Sequence, residues 1–214
     1  MTHWFRLKYL HWFGYFSTAV VGLQMLFVGY FGLAELKRRD ALRETTLMQQ
    51  GPALNRLKNP YYDRSEIDLL NQLPPISALA PDGFRLVVMP SFGDTNFAIS
   101  LHRTPEGAEG LMVIKPISGK DVSLQSVRIT LSSSSYMKLI SKLDTLASSW
   151  KGAIYGAMDG TGIVFERVKG GSVTSGVGNN PPFYGEVGAV VFDAIRPNTP
   201  QLARFNRTWH PIKR

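Results

Sequence analysis

Of the four histidines, His102 alone lies in the body of the chain; His3 and His11 stand near the N-terminus and His210 near the C-terminus. A histidine beside a carboxylate and a hydroxyl can carry acid–base or acyl-transfer chemistry. Candidate partners sit in a glycine-rich stretch, AMDGTGIVFERVKGGSVTSGVGNN (157–180), which contains Asp159, Thr161, Glu166 and Arg167 and six of the 20 glycines. His102, Asp159, Thr161 and Glu166 together form the candidate ligand site. A triad assembled from one histidine and any of many serines and carboxylates has little specificity, so catalysis through His102 is the weaker expectation.

The glycine-rich stretch does not match the phosphate-binding templates. No GxxxxGK[ST] occurs, and Gly160-Thr161-Gly162 leads into Ile163-Val164-Phe165, an apolar run of strand type where a dinucleotide fingerprint needs a helix. A calcium loop needs carboxylates at alternating positions, yet the next acid after Asp159 is Glu166. Turn chemistry fits better. Asp159-Gly160 is a tight-turn dipeptide, and Lys169-Gly170-Gly171 links two strand-like runs, which predicts a β-hairpin.

The chain has no cysteine, which excludes disulfides, thiolate metal sites and a cysteine nucleophile. With one histidine in the body, no metal site and no cofactor are expected. Paired acids such as Asp63/Glu66 and Glu106/Glu109 read as solvated charge.

The elements that must position these residues begin with an apolar segment at 12–34, WFGYFSTAVVGLQMLFVGYFGLA. At 1.5 Å per residue a helix over it spans about 34 Å, enough to cross a bilayer core. Trp4, Trp12, Tyr15 and Tyr30 suit the interfacial aromatic belt. This predicts a transmembrane helix; a signal peptide fits less well, because its apolar core is shorter, roughly 7–15 residues. On a helical wheel Gly14, Thr18, Gly22, Gly29 and Gly32 fall inside one arc of roughly 80°, opposite Phe16, Leu23, Phe27 and Tyr30. Small residues on one face let a second helix approach closely, so this face is expected to pack on another transmembrane helix, of a second copy or of a membrane complex.

Charge separates along the chain. Residues 1–60 carry net +5, 61–200 net −1 and 201–214 net +4, within a total of +8. The near-neutral body argues against nucleic acid, which needs a basic folded surface. Lys37, Arg38 and Arg39 are placed to meet lipid headgroups. In the tail 197–214, Arg204, Phe205, Arg207 and Trp209 mix cations with aromatics, a composition suited to a membrane surface or an acidic partner. Counting Lys and Arg, four after the span against two before it favour a cytoplasmic C-terminal side. A signal-anchor-like start and a Ser/Thr/Gly/Asn-rich body instead favour export, and export is the orientation preferred here.

Beyond the membrane, 35–50 reads as continuing helix, 51–81 as a Pro-rich tether with a short helix at 64–73, and 82–196 as the folded domain. Short β-branched or aromatic runs at 84–89, 96–102, 110–114, 126–131, 153–158, 163–168, 172–177 and 187–194 read as strands. One helix follows the serines at 132–135, with Tyr136, Leu139, Ile140, Leu143, Ala147 and Trp150 on one face. Strands, one helix, then strands predict an α+β fold: a transmembrane helix followed by a mainly antiparallel sheet with a covering helix. The expected function is that of a single-pass accessory or assembly subunit of a bacterial inner-membrane complex, non-enzymatic and acting by binding. The competing expectation is a membrane-tethered hydrolase or ligand sensor.

Overall fold

A computed structural model describes residues 20–37, 49–50, 68–117, 123–149, 160–178 and 183–212. The chain divides into two compact units, Met1–Leu42 and Arg43–Arg214. In the first, Val20–Lys37 forms a helix, α1, that is long and apolar enough to cross a membrane, with a mean hydropathy of 1.3.

The second unit is α+β. Its strands are β1 (Gln49–Gln50), β2 (Asp82–Pro90), β3 (Thr95–Arg103), β4 (Gly107–Pro116), β5 (Gln125–Ser132), β6 (Thr161–Lys169) and β7 (Ser172–Gly178). All neighbours pair antiparallel in one seven-stranded sheet, in the order β1-β7-β6-β2-β3-β4-β5. Two helices follow β5 and β7: α2 (Ser133–Ser149) and α3 (Phe183–Ile195).

Alternation along the strands divides the sheet into two faces. Phe84, Leu86, Val88, Phe97, Ile99, Leu101, Met112, Ile114, Ile129, Ile163 and Phe165 face the helices and form the main core with Tyr136, Leu139, Ile140 and Leu143 of α2 and Val187, Val191, Phe192 and Ile195 of α3. Val87, Ala98, Val113 and Val164 face the other way. Centrally placed β2 and β6 are therefore apolar on both sides, whereas edge strand β5 alternates Ile129 and Leu131 with exposed Arg128 and Thr130.

The link between β5 and α2 is a single joint. Ser132 ends the strand, and its hydroxyl accepts the Ser135 N–H at 3.3 Å, an N-cap that satisfies one of the helix's free donors. The predicted hairpin is present between β6 and β7. Lys169 pairs with Ser172, so the turn is two residues rather than three, and Gly170 and Gly171 take φ of 56° and 89°, the left-handed region that favours glycine.

Four expectations need correction. Residues 187–194 are helix, not strand: Val187, Val191 and Ile195, with Gly188 and Phe192, recur at helical spacing and bury one face of α3. The juxtamembrane helix does not reach residue 50, because Gln49 and Gln50 pair with Ser175 and Thr174 as an edge strand. The described part of the Pro-rich stretch, 68–81, is no mere tether, since Leu69, Leu70, Leu73, Ile76 and Leu79 are buried and cover the second face of the sheet; residues 51–67 lie outside the described residues.

The fourth correction concerns the C-terminal segment, which is core rather than tail. Phe205 and Trp209 are each 1% exposed, and both rings pack on Phe97 at centroid distances of 5.0 and 4.9 Å. The Trp209 indole donates to the Gly188 carbonyl at 3.2 Å, where α3 comes so close that a Cβ at Gly188 would stand 3.3 Å from the indole nitrogen. Neither aromatic is available to a membrane or a partner. The predicted strand at 153–158, and Trp150 of the predicted helix face, lie outside the described residues.

Emptying the Trp209 site by Trp209→Ala is expected to destabilise the domain by about 3–5 kcal/mol, the usual cost of truncating a buried large aromatic. Urea unfolding followed by circular dichroism reads this; an unchanged midpoint would return residues 205–212 to the status of a free tail.

Candidate functional site

Strand β6 carries most of the candidate chemistry, and its period-two geometry disperses it. Glu166 points to the face covered by Leu69, Leu70 and Leu73, while Arg167 points to the helix face. Thr161 is five residues from Glu166, roughly 17 Å along the strand, and on the opposite face. Its hydroxyl lies 3.4 Å from the Thr208 carbonyl at the start of β6.

Glu166 is fully buried and faces Arg85 on the neighbouring strand β2. The Arg85 Nε donates to the Glu166 carboxylate at 2.7 Å, and a guanidinium nitrogen makes a second contact to the same oxygen. Arg85 also donates from Nη1 to the Pro74 carbonyl at 3.3 Å. The pair thus satisfies two buried charges and clips the 68–79 segment to the sheet. A buried charge is costly unless paired in this way.

On the helix face Arg167, also buried, ties its strand to two other elements, β2 and α2. It pairs with Asp82 at 2.6 Å and with Asp144 of α2 at 3.0 Å, and it donates to the Gly83 carbonyl at 3.1 Å. Lys169 adds a contact to Asp144 at 2.9 Å. The Tyr136 hydroxyl donates to the Asp82 carbonyl at 3.1 Å. Burial first, and then the neighbouring Asp82 carboxylate, push the Tyr136 phenol well above its usual range, so it remains a neutral donor. Burial works to raise the Asp144 carboxyl, but hydrogen bonds from Lys169 and Arg167 outweigh it and hold the group below the usual aspartate range.

His102 ends up on the same face as Glu166 but two strands away, across β2, where Glu166 stands opposite Arg85 and His102 opposite Gly83, which leaves a gap. Leu79 fills that gap: a Cβ at Gly83 would lie 2.7 Å from the Leu79 Cβ. The carboxylate near His102 is Glu109 of β4, with Nε2 and Oε1 3.7 Å apart, beyond a hydrogen bond. Ser100, two residues back on the same face, has a buried hydroxyl without a hydrogen-bond partner, and the His102 Nδ1 is likewise unpartnered. No serine–histidine contact of the kind a nucleophile requires is formed there. Asp159 lies outside the described residues.

Of the proposed contact residues, Arg207 pairs with Asp193 at 2.9 Å on the surface, and the Arg204 guanidinium lies 5.0 Å from the Phe205 ring centroid. Lys37 is exposed at the end of α1, and Arg38 and Arg39 lie outside the described residues. Gly22, Gly29 and Gly32 are open, with nothing within 4 Å of a Cβ built on any of them; Gly14 and Thr18 lie outside the described residues. The opposite side carries Phe27 and Phe31, whose rings touch at 4.5 Å.

Two shallow clefts open at the β3–β4 turn end of the sheet. One, of about 1060 Å³, is bordered by Glu106, Glu109, Ser132 and Asn198; the other, of about 660 Å³, by Arg103, Ser141, Asp144, Arg167 and Lys169. Among the described residues, no group of three or more His, Asp or Glu side chains could hold a metal ion. The sequence reading passed over Arg85, Asp82 and Asp144. Arg85 did leave a signal, a lone cation inside the apolar run FRLVVM, matched by a lone acid inside IVFERV.

Comparison with known proteins finds no family model, no curated protein and no solved structure that matches this chain.

The Asp144 shift fixes the sign of a pH effect. A carboxyl whose folded pKa is depressed contributes stability above its unfolded pKa, and that contribution disappears as pH falls through the folded value. Wild type is therefore expected to lose more stability than Asp144→Asn on going from neutral pH to below about 3.9, as read by urea midpoints at a series of pH values. Parallel pH profiles for the two proteins would contradict the assigned pairing.

Proposed function

We propose that the protein is a single-pass membrane-anchored accessory or assembly subunit of a membrane protein complex, acting by binding rather than by catalysis. The observation that carries this reading is α1. It is an apolar 18-residue helix, none of it buried, with Gly22, Gly29 and Gly32 on one side and open space around each of them. Water is a poor solvent for such a helix, a bilayer a good one, and the glycine side lets another helix backbone approach closely.

The folded domain supports the same reading. Its strongest polar groups, Arg85, Glu166, Arg167 and Asp144, are engaged with one another and tie layers together. Of the four side chains that would make a hydrolase or sensor site, the three among the described residues do not converge: Thr161 and Glu166 are on opposite faces, and Leu79 fills the space over Gly83, between the strands of His102 and Glu166. In this proposal the anchor sits in a bacterial inner membrane with the domain on the periplasmic side, an orientation that protease accessibility in spheroplasts would report directly. Membrane lipid and neighbouring transmembrane helices are the partners; nucleic acid is not.

Replacing Gly22 and Gly29 together by Leu would add bulk to the glycine-bearing side of α1 and is expected to release the protein from its complex on a native gel, with anchoring in the membrane fraction retained. A double variant that still co-migrates with the wild-type partners would overturn the packing-face reading.

A further inference from the structure

Among the described residues of the folded unit, the exposed large apolar side chains are Phe92, Ile117, Leu124, Met137 and Ile212. Four of the five gather at one end of the sheet. Phe92 lies in the β2–β3 turn and is 76% exposed. Ile117 follows β4, and its N–H donates to the Asp94 carbonyl of that same turn at 2.7 Å. Leu124 immediately precedes β5, and Ile212 borders a shallow cleft with Gln125, the first residue of β5, and with Arg204. The fifth, Met137, is on α2, beside the cleft at the opposite end.

Strand β1 shows which end the chain enters from. It pairs antiparallel with β7, Gln49 opposite Ser175 and Gln50 opposite Thr174, so the N-terminal end of β1 is directed toward the Gly178 end of β7. Through the registers β7–β6, β6–β2, β2–β3 and β3–β4, that is the end bearing Phe92 and Ile117. Only residues 38–48 join α1 to β1, and eleven residues reach at most about 40 Å even when fully extended. With α1 in a bilayer, chain connectivity alone therefore limits how far the start of β1 can be from that bilayer.

We propose that this end is a membrane-contacting rim, with Phe92, Ile117, Leu124 and Ile212 entering the headgroup region of the bilayer that holds α1. The inference rests on the anchor reading above. Exposed apolar side chains grouped on loops mark an interaction site, and their placement on separate turns, with only Ile212 bordering a shallow cleft, suits a fluid surface better than a shaped protein partner. Lys115 and Arg204 stand at the same rim and favour anionic headgroups. Asp94 is also there, its carboxylate accepting the Thr95 hydroxyl at 2.8 Å.

The absence of cysteine makes the test direct, because a single introduced cysteine takes a single label. Full-length Phe92→Cys, Leu124→Cys, Met137→Cys and Gly29→Cys would each carry an environment-sensitive fluorophore and be reconstituted into phosphatidylcholine–phosphatidylglycerol vesicles containing nitroxide-labelled lipid. The rim predicts blue-shifted emission and quenching by the nitroxide lipid at positions 92 and 124, strong quenching at 29, and neither effect at 137. Quenching at 29 with positions 92 and 124 behaving as 137 does would overturn the rim and leave the anchor intact. Absence of quenching at 29 would overturn both. A blue shift at 92 and 124 that grows with protein-to-lipid ratio, without nitroxide quenching, would assign the surface to a second copy of the chain and overturn the lipid contact.

Discussion

The centre of the sheet is buried on both faces, and most of the domain is placed by the need to cover both. Phe84 and Phe165 on one side and Val87 and Val164 on the other leave β2 and β6 no wet face. Helices α2 and α3 with Phe205 and Trp209 cover the first side, and the 68–79 segment covers the second. Leu69, Leu70 and Leu73 supply the apolar part of that second cover, but a strap this short has little area to hold it. The Arg85–Glu166 pair adds a directed contact, because the same guanidinium reaches the Pro74 carbonyl. A charge-assisted, fully desolvated hydrogen bond fixes one geometry where apolar contact alone tolerates several.

On the helix face Arg167 plays the corresponding part, joining Asp82 at the start of β2 to Asp144 on α2. Glu166 and Arg167, two of the residues that looked most like chemistry in the sequence, thus serve as ties between layers. His102 and Glu109 remain at the sheet's margin without a contacting nucleophile, and the polar groups of the domain explain its architecture more readily than a reaction.

The strands β2 to β7 could be read from the sequence because each is short, apolar or alternating, and bounded by turn residues; the glycine-rich hairpin was legible for the same reason. Residues 187–194 were not, because VGAVVFDA is rich in β-branched residues and its helical spacing shows only when extended back to Phe183 and on to Ile195. Phe205 and Trp209 were unreadable as core, since nothing local shows that a basic, Pro-bordered segment folds back onto Phe97. The strap at 68–79 was hidden by its prolines, which do stop a helix but do not prevent Leu69, Leu70, Leu73, Ile76 and Leu79 from meeting a sheet. The dispersal of Thr161, Glu166 and His102 follows from strand parity and strand order. Parity could be read in advance; the insertion of β2 between β3 and β6 could not.

The claim that Arg85 and Glu166 are structural partners, each satisfying the other's buried charge, is tested most directly by a double-mutant cycle on Arg85→Met and Glu166→Leu, with unfolding free energies measured for all four proteins. Each single change strands a buried charge and should cost about 3–5 kcal/mol, whereas the double change removes both charges and should recover much of that loss. Additive losses, or a Glu166→Leu protein as stable as wild type, would contradict the account and put Glu166 back among the candidates for a ligand site.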